Sequence, residues 1–235
     1  MTDFHELVLS GPSKNALSSK LLAEIDRSLA AAGNKPILLR GEGDVFSAGL
    51  DLREVSALSD DETAFSFLQR LERTFVALYS HPAPVVACVN GHAIAGGCVL
   101  ALCADWRIAQ ASARTRIGLN EVALGVEFPP STLRIVLDRV PSHARERVLL
   151  GAGLFGVQES VSLGLVDEVS DDALTASRRK TEQLGALPAH AYAVTKRAIR
   201  ATFPDSATHT ATLRASLAAW TNPETRARAL SVLKK

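Results

Sequence analysis

Cysteine is scarce. The 235-residue chain has three, Cys88, Cys98 and Cys103, each in an apolar stretch. An odd, sparse set with no C-x-x-C spacing and no histidine partner argues against a disulfide framework or a zinc site. The three read as reduced core thiols. No sign of charge is in excess either: 26 Lys and Arg face 25 Asp and Glu, a net +1. That balance argues against a dedicated nucleic-acid binder. No apolar run approaches the roughly 18 residues of a membrane-spanning helix. Met1 to Glu6 lacks the basic and apolar regions of a secretory signal. The expectation is a cytoplasmic protein with no membrane contact. There is no internal repeat and no low-complexity linker. The Ala95-Gly96-Gly97 segment matches neither G-x-G-x-x-G nor the P-loop pattern, so a nucleotide-phosphate reading of it is weak.

What is present is ordinary in bulk. Hydrophobic residues make up 47% and charged residues 22%, as expected of a soluble globular protein long enough for one sizeable core. The charge is uneven: residues 1–170 carry 15 basic and 20 acidic side chains, residues 171–235 carry 11 and 5. A basic C-terminal part would help hold an anionic ligand; a solvated helix face accounts for it equally well.

The first half alternates strand and helix signals. Leu7–Leu9, Pro36–Arg40 and Val85–Val89 are short apolar runs. Leu17–Ala32 has helical spacing, with Ser18 or Ser19 as N-cap and Gly33 as stop. Asp61–Ser80 is a long amphipathic helix, and another opens near Gly96. Nearly all-apolar strands separated by helices predict parallel pairing with both sheet faces covered, an α/β fold. From about Pro141 the chain reads as mainly helical, with Ser142 capping a helix through Leu150. A soft boundary near 170 divides an α/β core, 1–170, from a helical part, 171–235, that serves as a subdomain or oligomer arm.

Three segments carry chemistry. Phe46-Ser47-Ala48-Gly49-Leu50-Asp51-Leu52 follows a strand signal. Its small residues let a ligand approach the backbone, and Ala48 N–H is a candidate donor; an ordinary strand-to-helix turn looks similar. Ala95-Gly96-Gly97 opens a helix whose free N–H groups favour an anion or developing oxyanion; close helix packing is the plain alternative. Together, 48 residues apart, the two suggest N–H donors converging on one carbonyl. Downstream, Arg116-Ile117-Gly118-Leu119-Asn120-Glu121 supplies a carboxylate.

These segments resemble the crotonase (enoyl-CoA hydratase/isomerase) superfamily over nearly the whole chain. Asn15-Ala16-Leu17 is similar to its early N-A-L segment, and the other motifs to its two oxyanion loops. The resemblance implies a spiral core of ββα units over 1–170 and a C-terminal helical part over 171–235 used in oligomerisation and CoA covering. It implies a homotrimer or dimer of trimers. It also implies an acyl-CoA or acyl-carrier thioester substrate and no separate cofactor or metal, with CoA part of the substrate. Ala48 and Gly96 N–H would hold the thioester oxygen.

The two glutamates of the family's hydratases fall at Glu121, which is present, and at Val99, which cannot move a proton. Ala95–Cys98 and Ile117–Gly125 are most similar to the Δ3-Δ2-enoyl-CoA isomerase branch, which works with one glutamate. Glu121 would take a proton from C2 of a 3-enoyl thioester and return it at C4. Phe46, Gly49, Leu50, Asp51, Leu52, Gly97, Val99, Leu124, Glu127 and Phe128 are the expected substrate-contacting set. Leu119 and Val122 are further candidates for the apolar wall around the base. Glu127 is either a second carboxylate or a surface residue. Lys196 and Arg197 either approach CoA phosphates or face solvent. Asp105 and His92 read as structural, and Trp106 and Trp220 as core or interface. The alternatives are a hydratase-like enzyme with altered chemistry, such as a decarboxylase or a biosynthetic isomerase on a carrier-protein thioester, and a non-catalytic acyl-CoA binder.

Overall fold

The computed structural model describes residues 3–58, 60–204 and 206–232. Five strands form a parallel sheet in the order β1 (His5–Leu9), β2 (Ile37–Gly41), β4 (Val85–Val89), β6 (Trp106–Gln110) and β8 (Glu168–Ser170). Three shorter strands form a second parallel sheet, β3 (Val45–Ser47), β5 (His92–Ile94) and β7 (Ile117–Gly118). The chain places one strand in the large sheet and the next in the small one at β2/β3, β4/β5 and β6/β7, so the core winds as a spiral of ββα turns. The parallel pairing expected from the apolar runs is what forms: Leu7 pairs Leu39 and Leu39 pairs Ala87. Every residue of β4 is buried, as a strand covered on both faces requires.

Helices cover the sheets. After a single turn α1 (Pro12–Asn15), α2 (Ser19–Ala32) buries Leu21, Leu22 and Ile25. After α3 (Leu52–Ala57), α4 (Asp61–Tyr79) buries Leu68, Leu71, Phe75 and Leu78 at helical spacing. Each such side chain contributes roughly 1.5–3 kcal/mol on burial. Ser18 caps α2, its Oγ accepting from Leu21 N at 3.2 Å, and Gly33 ends the helix at φ +58°. We expect Ser18→Ala to cost about 1 kcal/mol, read as a lower denaturant midpoint with an unchanged slope.

The later helices are α5 (Gly96–Cys103), α6 (Glu121–Leu124), α7 (Pro130–Arg139), α8 (Val157–Ser162), α9 (Ala173–Gly185), α10 (Ala189–Ile199), α11 (Ser206–Ala215), α12 (Leu217–Thr221) and α13 (Pro223–Val232). Past residue 170 the chain stays on the core: α9 lies against β4 and β6, while α11 and α12 lie against α4. The expected helix from Ser142 to Leu150 is instead a 3₁₀ turn, Ser142–Ala144, and a π turn, Glu146–Leu150, closed by Gly151 N on Glu146 O at 3.0 Å. The Ser142 side chain makes no capping bond.

Asp105 has the structural role expected of it. Its Oδ2 accepts from Val85 N and from Lys196 Nζ at 2.7 Å, and its Oδ1 pairs with Arg200. Lys196 is therefore buried in an ion pair that pins α10 and cannot approach a CoA phosphate; Arg197 is exposed. Among the described residues, no helix is long and apolar enough to cross a membrane.

Candidate active site

Each chemical segment leaves the C-terminal end of a different strand of the small sheet. The loop after β3 carries Leu50, the turn after β5 carries Gly96, and the turn after β7 carries Glu121. The first two loops touch closely. A Cβ on Gly49, which sits at φ +90°, would lie 2.7 Å from Ile94 O and 3.5 Å from Gly96 N. A Cβ on Gly97 would lie 2.4 Å from Ser47 O, so glycine there lets α5 seat directly on β3. Ala95, just before Gly96, holds φ +50° and ψ −124°. This strained conformation costs of order 1–3 kcal/mol. It is held by Ala95 N donating to Gly118 O and Val99 N donating to Ala95 O.

The first donor is not the one expected. Ala48 N–H is taken up by Lys14 O at 3.1 Å. Lys14 lies in α1, whose Ser13, Lys14 and Asn15 are all left-handed, with φ of +56°, +63° and +56°. Two residues on, Leu17 and Leu50 form a parallel bridge in which Leu17 N bonds Gly49 O and Asp51 N bonds Leu17 O. In that pattern the Leu50 N–H points away from Leu17, and it has no hydrogen-bond partner among the described residues. Leu50 and Gly96 adjoin: a Cβ on Gly96 would meet Leu50 Cδ2 at 3.3 Å. The pair of N–H groups free for an oxyanion is thus Leu50 and Gly96, the latter in the first turn of α5.

A cavity of 510 Å³ opens over these donors. Ala48, Leu50, Asp51, Leu52, Gly96, Val99, Glu121, Leu124 and Phe128 of the expected set line it. Four expected residues do not. Phe46 is fully buried in the core. Gly49 and Gly97 act through backbone closeness. Glu127 is exposed and does not line the cavity, although Val126 and Phe128 on either side do. Of the further wall candidates, Leu119 is buried in the core and Val122 is 47% exposed. Sequence reasoning missed Lys14, Arg53, Leu71, Phe75 and Asn120 as lining residues, and Trp220 as more than core. Leu71 and Phe75 stand four apart on the apolar face of α4, a signal that marks them as buried but not as facing a cavity.

Glu121 is 9% exposed, and its Oε2 has no hydrogen-bond partner among the described residues. Burial pushes its carboxyl up from the ordinary 4.5 to about 7, because an apolar surrounding disfavours the charged form. Val99, fully buried, supplies part of that wall. The cavity's other carboxylate, Asp51, is committed: its Oδ1 accepts from Arg53 N at 3.0 Å and Glu54 N at 3.3 Å, capping α3. His92 is structural, its Nδ1 accepting from Arg116 N at 3.0 Å. Among the described residues no group of three His, Cys, Asp or Glu side chains converges to hold a metal. The arrangement joins two oriented N–H donors to one buried base in a largely apolar cavity, which suits formation of an enolate beside a carbonyl.

Known proteins resemble this chain in sequence and in fold. The profile of the family described as Enoyl-CoA hydratase/isomerase matches residues 5–229. Mitochondrial enoyl-CoA delta isomerase 1 of Mus musculus is 31% identical over 205 residues, covering 84% of this chain and 71% of that protein. A probable enoyl-CoA hydratase of Bacillus subtilis is 34% identical, over 68% of this chain and 63% of that one. The crystal structure of human mitochondrial delta3-delta2-enoyl-CoA isomerase superposes with a TM-score of 0.87 at 27% identity, covering 98% of this chain and 93% of the other. By sequence and by fold, the chain belongs to the enoyl-CoA hydratase/isomerase family.

Proposed function

We propose that the protein is an enoyl-CoA isomerase that shifts the double bond of a 3-enoyl thioester into conjugation. The observation that carries this reading is that, among the described residues, Glu121 is the single uncommitted carboxylate in the cavity, with buried Val99 where a second acid would stand. The thioester oxygen accepts from Leu50 and Gly96 N–H. Glu121, ionised, takes the proton from C2, and the electron pair delocalises onto that oxygen as a dienolate. Protonated Glu121 then returns the proton at C4, leaving the conjugated 2-enoyl thioester and the carboxylate restored. Water addition needs a second group to orient and deprotonate a nucleophile, and no other cavity carboxylate among the described residues is available for it. Lys14 and Arg53 line the same cavity and offer positive charge to a phosphate-bearing thioester arm.

The test is to supply a 3-enoyl-CoA and a 2-enoyl-CoA separately and follow the conjugated thioester absorbance. The expected result is growth of absorbance from the first and stability of the second. Rapid loss of absorbance from the second, by hydration, overturns the reading. In the same assay kcat/KM is expected to rise with pH through about 7 and then level, since the base works ionised and Glu121 titrates there. The linked stability runs the other way. A carboxyl with a raised folded pKa contributes most below its ordinary 4.5, and that contribution is lost as pH climbs through about 7.

A further inference from the structure

A second buried carboxylate lies just behind the cavity and has no part in the chemistry above. Glu72, on α4, is 1% exposed. Its neighbours one and three residues away, Leu71 and Phe75, line the cavity, but Glu72 does not. Its Oε1 accepts from Ser131 N and, at 3.0 Å, from Thr132 N, in the first turn of α7. Thr132 is itself part of the cavity wall. Its Oε2 stands 3.1 Å from His209 Nε2 on α11. His209 is fastened a second time, its Nδ1 lying 3.1 Å from Ser131 Oγ. From α11 the chain passes buried Leu213 and Leu217 into α12, whose Trp220 closes on the same cavity. One carboxylate therefore adjoins three helical segments that each contribute to the cavity wall: α4 with Leu71 and Phe75, α7 with Thr132, and the α11–α12 arm with Trp220.

Burying a carboxyl is costly, and apolar side chains hold three helices together as well. What the polar cluster adds is direction: two N–H bonds and a 3.1 Å carboxylate–imidazole contact fix position where apolar contacts allow sliding. Glu121 and the two N–H donors follow the strands of the small sheet, on elements other than α4, α7, α11 and α12. Resting on the reading of the cavity as an acyl-thioester site, we propose that Glu72 and His209 are positioning residues that set the acyl end of the cavity and so the length of acyl chain it accepts.

The experiment measures dissociation constants of four unreactive thioesters, hexanoyl-, octanoyl-, dodecanoyl- and hexadecanoyl-CoA, for the full-length protein and its variants, with thermal midpoints alongside. His209→Leu frees the α11–α12 arm while leaving the Glu72 bonds to α7, and Glu72→Ala releases both. Each methylene buried is worth roughly fourfold in affinity. A wall displaced by two or three methylenes is therefore expected to change the dodecanoyl-to-hexanoyl ratio by about tenfold or more in favour of the longer chain. Glu72→Gln keeps an acceptor for both N–H groups and an amide against His209, and is expected to restore the wild-type ratio. A merely structural role lowers the thermal midpoint and leaves the ratio alone. That result in His209→Leu, which removes a partly exposed side chain and so tolerates replacement even if Glu72→Ala does not fold, overturns the proposal. A wild-type protein that binds none of the four thioesters overturns the acyl-thioester reading with it; binding with unmoved ratios overturns only the positioning role.

Discussion

Glu121→Gln is expected to lower kcat on a 3-enoyl thioester by about 10²- to 10⁴-fold, the share general acid–base catalysis supplies. The amide has nearly the same size and shape, so binding of a saturated acyl-CoA should stay within a few-fold of wild type. The loss arises because an amide oxygen cannot accept the C2 proton, while the apolar wall and the Leu50 and Gly96 donors remain. Steady-state kinetics on the variant, with the dissociation constant measured separately, checks both halves. Activity within tenfold of wild type would place the base elsewhere, and Glu127 is a poor substitute because it is exposed and outside the cavity.

Gly49→Ala should be the second most damaging change. The new Cβ would meet Ile94 O at 2.7 Å and Ala95 Cβ at 3.2 Å, from a backbone at φ +90°. Neither obstacle is a flexible side chain tip, so the loop carrying Leu50 must back away from the turn carrying Gly96. Separating two oxyanion donors costs about 10²- to 10³-fold in kcat. Gly43→Ala is the matched control. It too has positive φ, +73°, but its Cβ would meet nothing within 4 Å. That variant should lose about 1–2 kcal/mol of stability from backbone strain and keep its kcat. If both variants lose activity equally, the close approach of the two loops is not what matters.

The sequence was most legible where a residue's neighbours in the chain decide its fate. Val85–Val89 was readable as a buried strand because five apolar residues in a row leave few other choices. Ser18 and Gly33 bound α2 by local hydrogen bonding and local backbone freedom. The small sheet was not legible, because β3 and β5 have three residues and β7 two, too few to show any period. That the free N–H is at position 50 rather than 48 depends on Leu17 and Lys14, more than 30 residues away, which together decide which N–H is already used. Glu127 was ambiguous for a simpler reason. It lies between two apolar residues, Val126 and Phe128, and sequence alone does not say which of the three faces the cavity. Trp220 and Thr132 reach the cavity through the folding back of α12 and α7, which no spacing in the chain records.

The small sheet has a consequence for how such a site can change. Its three strands lead into separate loops that carry the free Leu50 N–H, the Gly96 N–H and the Glu121 carboxyl, and the two N–H groups belong to the backbone. A different acid at position 99 or 121, or none, would leave the oxyanion donors where they are. The part of the chemistry shared by every enolate-forming reaction is built into the chain path. The part that selects one reaction rests on one or two side chains, so new activities can arise by point substitution without the fold being asked to move.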